Sequence, residues 1–139
     1  MTLGERQDGR PWRVGIQNPL DDRGAYIGIV EVRDRTVVTS GVYERNFEAD
    51  GVMYHHIFSP FDGYPANNGL LSVTIIADAS IDADALSTAV FVMGYERGLA
   101  LLESLGIEGI FVFEDMGVRK TEGIDLTITD GSYRLLTFD

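Results

Sequence analysis

The chain has 139 residues, one domain's worth, and 45% of them are apolar, enough for a single core. Twenty-two acidic residues face eleven basic ones, a formal charge of −11 that argues against nucleic acid and anionic lipid as partners, since both need a basic surface. The absence of cysteine excludes a disulfide framework and a thiolate metal site, and no apolar run nears the roughly 20 residues that span a bilayer.

Trp12, Val14 and Ile16 alternate with polar or small residues, the pattern of a half-buried strand. Asn18-Pro19 opens a loop through Asp21, Asp22, Arg23 and Gly24. Strands are expected at Tyr26–Val32 and in a short segment ending at Thr39-Ser40-Gly41. Val52–Ile57 reads as another, closed by the turn-rich Ser59-Pro60-Phe61-Asp62-Gly63-Tyr64-Pro65. Leu70–Ala77 is apolar and β-branched, which predicts a central strand. A helix follows, capped by Ser80 or Asp82, with Ala85, Leu86, Ala89, Val90 and Met93 as its apolar face. Glycine costs about 1 kcal/mol inside a helix, so a break is expected at Gly94. The second helix, Tyr95–Leu105, ends at Gly106, a suitable C′ residue. Ile110–Phe113 returns as a strand, with Arg119-Lys120-Thr121 close behind. Thr129-Asp130-Gly131 reads as a turn between two closing strands, Ile124–Ile128 and Tyr133–Phe138. This order predicts one α+β domain over residues 1–139, a mostly antiparallel sheet backed by a helix pair.

Three groups of residues can carry chemistry. Asp84 and Thr88 lie four apart near the start of the first helix and share a face. A carboxylate and a hydroxyl one turn apart offer two hard oxygens to a cation such as Mg²⁺, at about 2.1 Å. The nearby helix N-terminus favours a phosphate or pyrophosphate. The plainer alternative is that Asp84 complements the helix dipole and Thr88 packs. His55 and His56 are the only histidines; neighbours on a strand point to opposite faces, so they cannot share one role. One of them, entering the turn, can act as a base or bind phosphate, or it can make an ordinary strand-end hydrogen bond. Thr39-Ser40-Gly41 with Tyr43 and Arg45 lets backbone amides approach an anion that Arg45 pairs, unless it is simply a turn at a strand end. Phe91, Met93 and Tyr95 read as core.

In order and wording these segments resemble the FAD:protein FMN transferases of the ApbE family. The resemblance is carried by Trp-Arg-Val-Gly-Ile-Gln-Asn-Pro at 12–19, by Thr39-Ser40-Gly41 with Tyr43 and Arg45, and by Tyr54-His55-His56-Ile57 with Pro60 and Gly63. Ser72-Val73-Thr74 and Asp84-Ala85-Leu86-Ser87-Thr88-Ala89 complete it, and it runs to about residue 123. It implies a tunnelling-fold-like α+β architecture and an activity: FMN moves from FAD, the substrate, onto a threonine or serine hydroxyl of a target protein, a redox-complex subunit, releasing AMP. It assigns Asp84 and Thr88 as Mg²⁺ ligands. It makes His56 the histidine of the family's His-Ile-x-Asp-Pro-x-Thr-Gly motif, as base or phosphate-positioning group. Thr39, Ser40, Gly41, Arg45, His56, Pro60 and Gly63 are then expected around the flavin nucleotide. Family members are usually exported and often lipid-anchored, which implies the bacterial envelope or periplasm for the parent protein. Met1-Thr2-Leu3-Gly4-Glu5-Arg6 carries no signal-peptide pattern.

The sequence departs from the family pattern in two places. Ser59 stands where the family usually has Asp and Asp62 where it usually has Thr, so the loop keeps a carboxylate moved by three positions. Nothing in Met1–Pro11 resembles the upstream Asp-x-Gly-x-x-Ala-Lys-Gly stretch that helps hold FAD and lends a carbonyl to the metal. The chain is therefore expected to be the C-terminal part of such a transferase, binding FAD weakly or not at all by itself, with apolar surface left open and self-association as a result. Two other readings stay open: a Mg²⁺-dependent FAD pyrophosphatase, and a non-catalytic truncated domain that binds flavin or a partner.

Overall fold

The computed structural model describes residues 2–21, 24–42, 47–49, 52–54 and 68–137. In chain order these form β1 (Trp12–Gln17), β2 (Tyr26–Val32), β3 (Thr36–Gly41), β4 (Phe47–Ala49), β5 (Val52–Tyr54) and β6 (Leu70–Ala77). Then come α1 (Ser80–Met93), α2 (Tyr95–Leu105), β7 (Glu108–Phe113), β8 (Gly117–Lys120), β9 (Leu126–Ile128) and β10 (Arg134–Leu135). One sheet has the order β10-β8-β7-β6-β3, a second β1-β2-β9, and β4 pairs with β5. Among the described residues every pairing is antiparallel except β10 with β8.

The eight residues of β6 are all buried because the strand is covered on both faces. Val73, Ile75 and Ala77 pack with Ala83, Val90 and Phe91 of α1, Leu102 of α2 and Phe111 of β7. On the other face Ile76, Ile110, Val112 and Val118 meet Ile16, Ile27, Val30 and Val32 of the three-stranded sheet. The result is three layers, sheet on sheet on helix pair. Strands covered on both sides carry mostly apolar side chains, and in β6 Ser72 and Thr74 are the two exceptions. Each fully buried Val, Ile, Leu or Phe contributes about 1.5–3 kcal/mol.

Gly94 separates the helices with φ 84° and ψ 174°, a backbone conformation that a side chain would strain. Gly106 ends α2 in the left-handed region, as its position predicts. The helices meet closely at Gly98, where a Cβ would lie 2.6 Å from Val90 Cγ1.

Three local expectations are corrected. The N-cap of α1 is Ala79, with no side-chain cap; Ser80 is the first helical residue and its hydroxyl meets Thr36 Oγ1 at 3.0 Å instead. The buried face of α1 is Ala83, Ser87, Val90 and Phe91, while Ala85 and Ala89 are exposed and Leu86 and Met93 half-buried. The helix packs on β3 as well as β6, and a serine satisfied by a partner on β3 takes an inward position that apolar periodicity cannot reveal. The closing strands do not form a hairpin: β9 pairs with β2 and β10 with β8, in different sheets. Between them Thr129 and Asp130 both donate their N–H to the Ile27 carbonyl, and the Tyr133 hydroxyl donates to Asn18 Oδ1 at 2.7 Å. Those bonds carry the segment across from one sheet to the other. Of the strand expected at Val52–Ile57, Val52–Tyr54 is seen, and the remainder lies outside the described residues.

Candidate functional site

Side chains on β3 alternate between the two faces of its sheet. Ser40 points to α1 and Thr39 points away, where its Oγ1 meets Thr74 Oγ1 at 2.7 Å. The contact between β3 and α1 is made largely of hydroxyls. Besides Thr36 with Ser80, Ser40 Oγ lies 2.8 Å from Ser87 Oγ and 3.3 Å from Thr88 Oγ1. Ser87 in turn donates to the Asp84 carbonyl at 2.9 Å. Ser40 and Ser87 are 8% and 0% exposed, so both hydroxyls are desolvated and each needs its partners.

Asp84 and Thr88 follow one another by a helical turn and both are exposed. The outer edge of this contact thus presents a carboxylate and a hydroxyl to solvent, the donor types that hard divalent cations take. Among the described residues no group of three or more His, Asp or Glu is arranged to hold a metal. The start of a helix leaves N–H groups without an intrahelical partner, and α1 has no side-chain cap there, which favours an anion beside it. Among the described residues β3 is the outer strand of its sheet, so alternate backbone N–H groups of the Thr39–Gly41 segment point away from β6.

The structure therefore brings Asp84, Thr88 and Ser40 together and puts Thr39 on the opposite face of the sheet. Gly41 is buried at the end of β3, opposite Ser72, whose Oγ is buried without a hydrogen-bond partner among the described residues. Tyr43, Arg45, His55, His56, Ser59, Pro60, Asp62 and Gly63 lie outside the described residues. Ser87 is the member that sequence reasoning passed over; its signal was a serine three residues after Asp84 and next to Thr88. A depression of about 370 Å³ elsewhere, lined by Arg33, Arg35, Glu108 and Asp125, shares no residue with this group. Both arginines there are already ion-paired, Arg33 with Glu5 and Arg35 with Asp78.

The sequence model of the ApbE family matches residues 1–111, four-fifths of the chain and all of β1 to α2. This chain belongs to the ApbE family. A relative from Treponema pallidum (strain Nichols), named FAD:protein FMN transferase, is 51% identical over 114 residues, covering 81% of this chain and 32% of the relative. Another of that name, from Klebsiella pneumoniae (strain 342), is 38% identical over 138 residues, covering 97% of this chain and 42% of the relative. The crystal structure of the ApbE protein from Thermotoga maritima superposes with a TM-score of 0.70 at 38% identity, covering 91% of this chain and 38% of that one. Flavin transferase ApbE from Vibrio cholerae gives a TM-score of 0.65 at 35% identity, over 94% of this chain and 39% of its own. The α+β architecture is that of ApbE structures, and this ApbE chain spans about a third to two fifths of the length of these relatives. No helix among its described residues is long and apolar enough to cross a membrane.

Proposed function

We propose that this chain is part of an FAD:protein FMN transferase, that Asp84 and Thr88 are its side-chain ligands for Mg²⁺, and that it transfers FMN from FAD to a threonine or serine hydroxyl of a target protein. The names of its relatives support flavin transfer. The observation that carries the residue assignment is the pairing of an exposed carboxylate and an exposed hydroxyl one turn apart, with the hydroxyl anchored on β3 through Ser40. Two hard oxygens suit Mg²⁺, whose octahedral shell readily takes its other ligands from water and phosphate.

When bound, the cation would offset the negative charge that builds on the pyrophosphate oxygens. The acceptor hydroxyl oxygen forms a bond to the FMN phosphorus, the P–O–P bridge breaks, and AMP leaves with the bonding electrons. The hydroxyl proton passes to a base, the role proposed for His56, which alternatively positions the phosphate. The N–H groups at the start of α1 and along the edge of β3 away from β6 would face the phosphates, with Arg45 pairing their charge. Pro60 and Gly63 would shape the loop beside the flavin. The target is read as a redox-complex subunit, and the working compartment as the bacterial envelope.

The test grafts this chain in place of the matching 114 residues of the Treponema relative. The graft is incubated with FAD, Mg²⁺ and a peptide carrying the acceptor threonine, and the peptide is read by mass spectrometry. An FMN adduct that requires Mg²⁺ and disappears in Asp84→Ala is the expected result. Free FMN and AMP with unlabelled peptide would replace transfer by pyrophosphatase chemistry, and untouched FAD from a folded graft would overturn the proposal.

A further inference from the structure

The hydroxyls between β3 and α1 form a chain with a fixed direction. A serine or threonine hydroxyl has one hydrogen to give and two lone pairs to accept with. The Asp84 carbonyl oxygen can only accept, so Ser87 spends its one hydrogen there. Toward Ser40, 2.8 Å away, Ser87 can then only accept, so Ser40 spends its hydrogen on Ser87. Toward Thr88, at 3.3 Å, Ser40 can likewise only accept. Thr88 is therefore the donor at the outer end, and its hydrogen points inward.

We infer that Ser40 and Ser87 are positioning residues that turn the Thr88 hydroxyl hydrogen into the protein and leave its lone pairs facing outward beside the Asp84 carboxylate, ready for a cation. The inference rests on the reading of Asp84 and Thr88 as metal ligands. A freely rotating hydroxyl spends much of its time with its hydrogen toward the ligand position, and a hydrogen facing a cation repels it. Fixing the rotor beforehand removes that penalty, as outer hydrogen bonds do for ligating groups generally. Packing alone explains this contact poorly. Ser40 and Ser87 are buried at a strand–helix contact where small apolar residues would fit without needing partners. The chain of bonds also touches both candidate ligands, Asp84 through its carbonyl and Thr88 through its hydroxyl.

The test titrates the ¹⁵N-labelled chain with Mn²⁺ alone, a paramagnetic ion that takes the same oxygen ligands, and reads amide line broadening at residues 84–88. Thermal melting is followed in parallel. Wild-type chain should show selective broadening there, and Asp84→Asn or Thr88→Val should raise the Mn²⁺ needed by about tenfold. Ser40→Ala and Ser87→Ala should each produce a similar shift, about tenfold, and Ser40→Thr should restore the wild-type midpoint. Ser87→Ala puts a good helix former on a helix, so it carries the test even where Ser40→Ala unfolds the chain. Midpoints that move in Asp84→Asn and Thr88→Val but stay put in both alanine variants overturn the inference and leave the metal reading standing. A Ser40→Ala shift that Ser40→Thr fails to restore also overturns it, in favour of packing. Wild-type broadening that is absent, or indifferent to Asp84→Asn, removes the metal reading itself.

Discussion

Tyr133→Phe offers the sharpest check on how the C-terminal segment is held. The phenol is 4% exposed and donates to Asn18 Oδ1 at 2.7 Å. Asn18 Oδ1 also accepts the Leu20 N–H at 3.0 Å, so the substitution leaves it satisfied and no buried acceptor is orphaned. The loss is then the net worth of one hydrogen bond, about 1 kcal/mol at neutral pH. With an unfolding entropy of about 2.1 cal/mol/K per residue, that lowers Tm by about 3 °C for a chain of this length. The deficit should also depend on pH. Burial first, and then the charges of Asp130 and Asp21, push the Tyr133 phenol above its ordinary value of 10.0. In the unfolded chain it titrates near 10, so above that pH the unfolded state binds fewer protons and the native state loses stability. This contribution is fully present below about pH 10 and fades as pH rises through the higher folded value. Phenylalanine has nothing to titrate, so the gap between the two proteins should close above about pH 10. Urea unfolding of both from neutral to strongly alkaline pH measures it. A gap that holds constant with pH, or no gap at neutral pH, refutes the reasoning.

Gly98→Ala should destabilise by about 1–3 kcal/mol despite alanine's better helix propensity, because the new methyl meets the stiff, buried Val90. Adding Val90→Ala should recover part of that loss, and strict additivity of the pair in urea melts would contradict the close approach. Phe91→Ala, at a fully buried position of α1, should cost about 3–5 kcal/mol in the same measurement; a loss under 1 kcal/mol would mean the helix does not seat on β6 as described. Asp84→Ala, at an exposed position, should leave stability within about 0.5 kcal/mol, and a larger loss by calorimetry would mark Asp84 as a structural residue.

Much of the fold was legible because local chemistry and final position agree. The bounds of β2 and β6, the break at Gly94 and the stop at Gly106 all follow from residues that act where they stand. What escaped reading depends on partners far along the chain. Thr36 takes the hydroxyl of Ser80 that a capping role would have used. Ser40 and Ser87, 47 positions apart, bury each other, so the inward face of α1 contains a polar residue that an apolar count sets outside. The Thr129-Asp130-Gly131 turn chemistry is sound, yet Ile27 and Asn18 redirect the chain from one sheet to another. For the site, the Asp84–Thr88 spacing was visible from the sequence, whereas Ser40's attachment to Thr88 needed the third dimension. Thr39 and Ser40 differ for a simple reason: adjacent strand residues face opposite ways, so one sits against α1 and the other against Thr74.

The pairing of β9 with β2 has a further consequence for how the molecule comes into being. Gly28 and Ile128, partners in that ladder, are separated by most of the chain. Residues 70–113, by contrast, hold a strand, two helices and a returning strand in direct succession, and their contacts close short loops. On a ribosome this central unit can assemble while the three-stranded sheet still lacks its third member. Until Leu126–Ile128 leaves the exit tunnel, β2 has one neighbour and an open flank. β9 is thus made long after the strand it clasps, and a nascent chain halted before it would present that flank to whatever strand it meets.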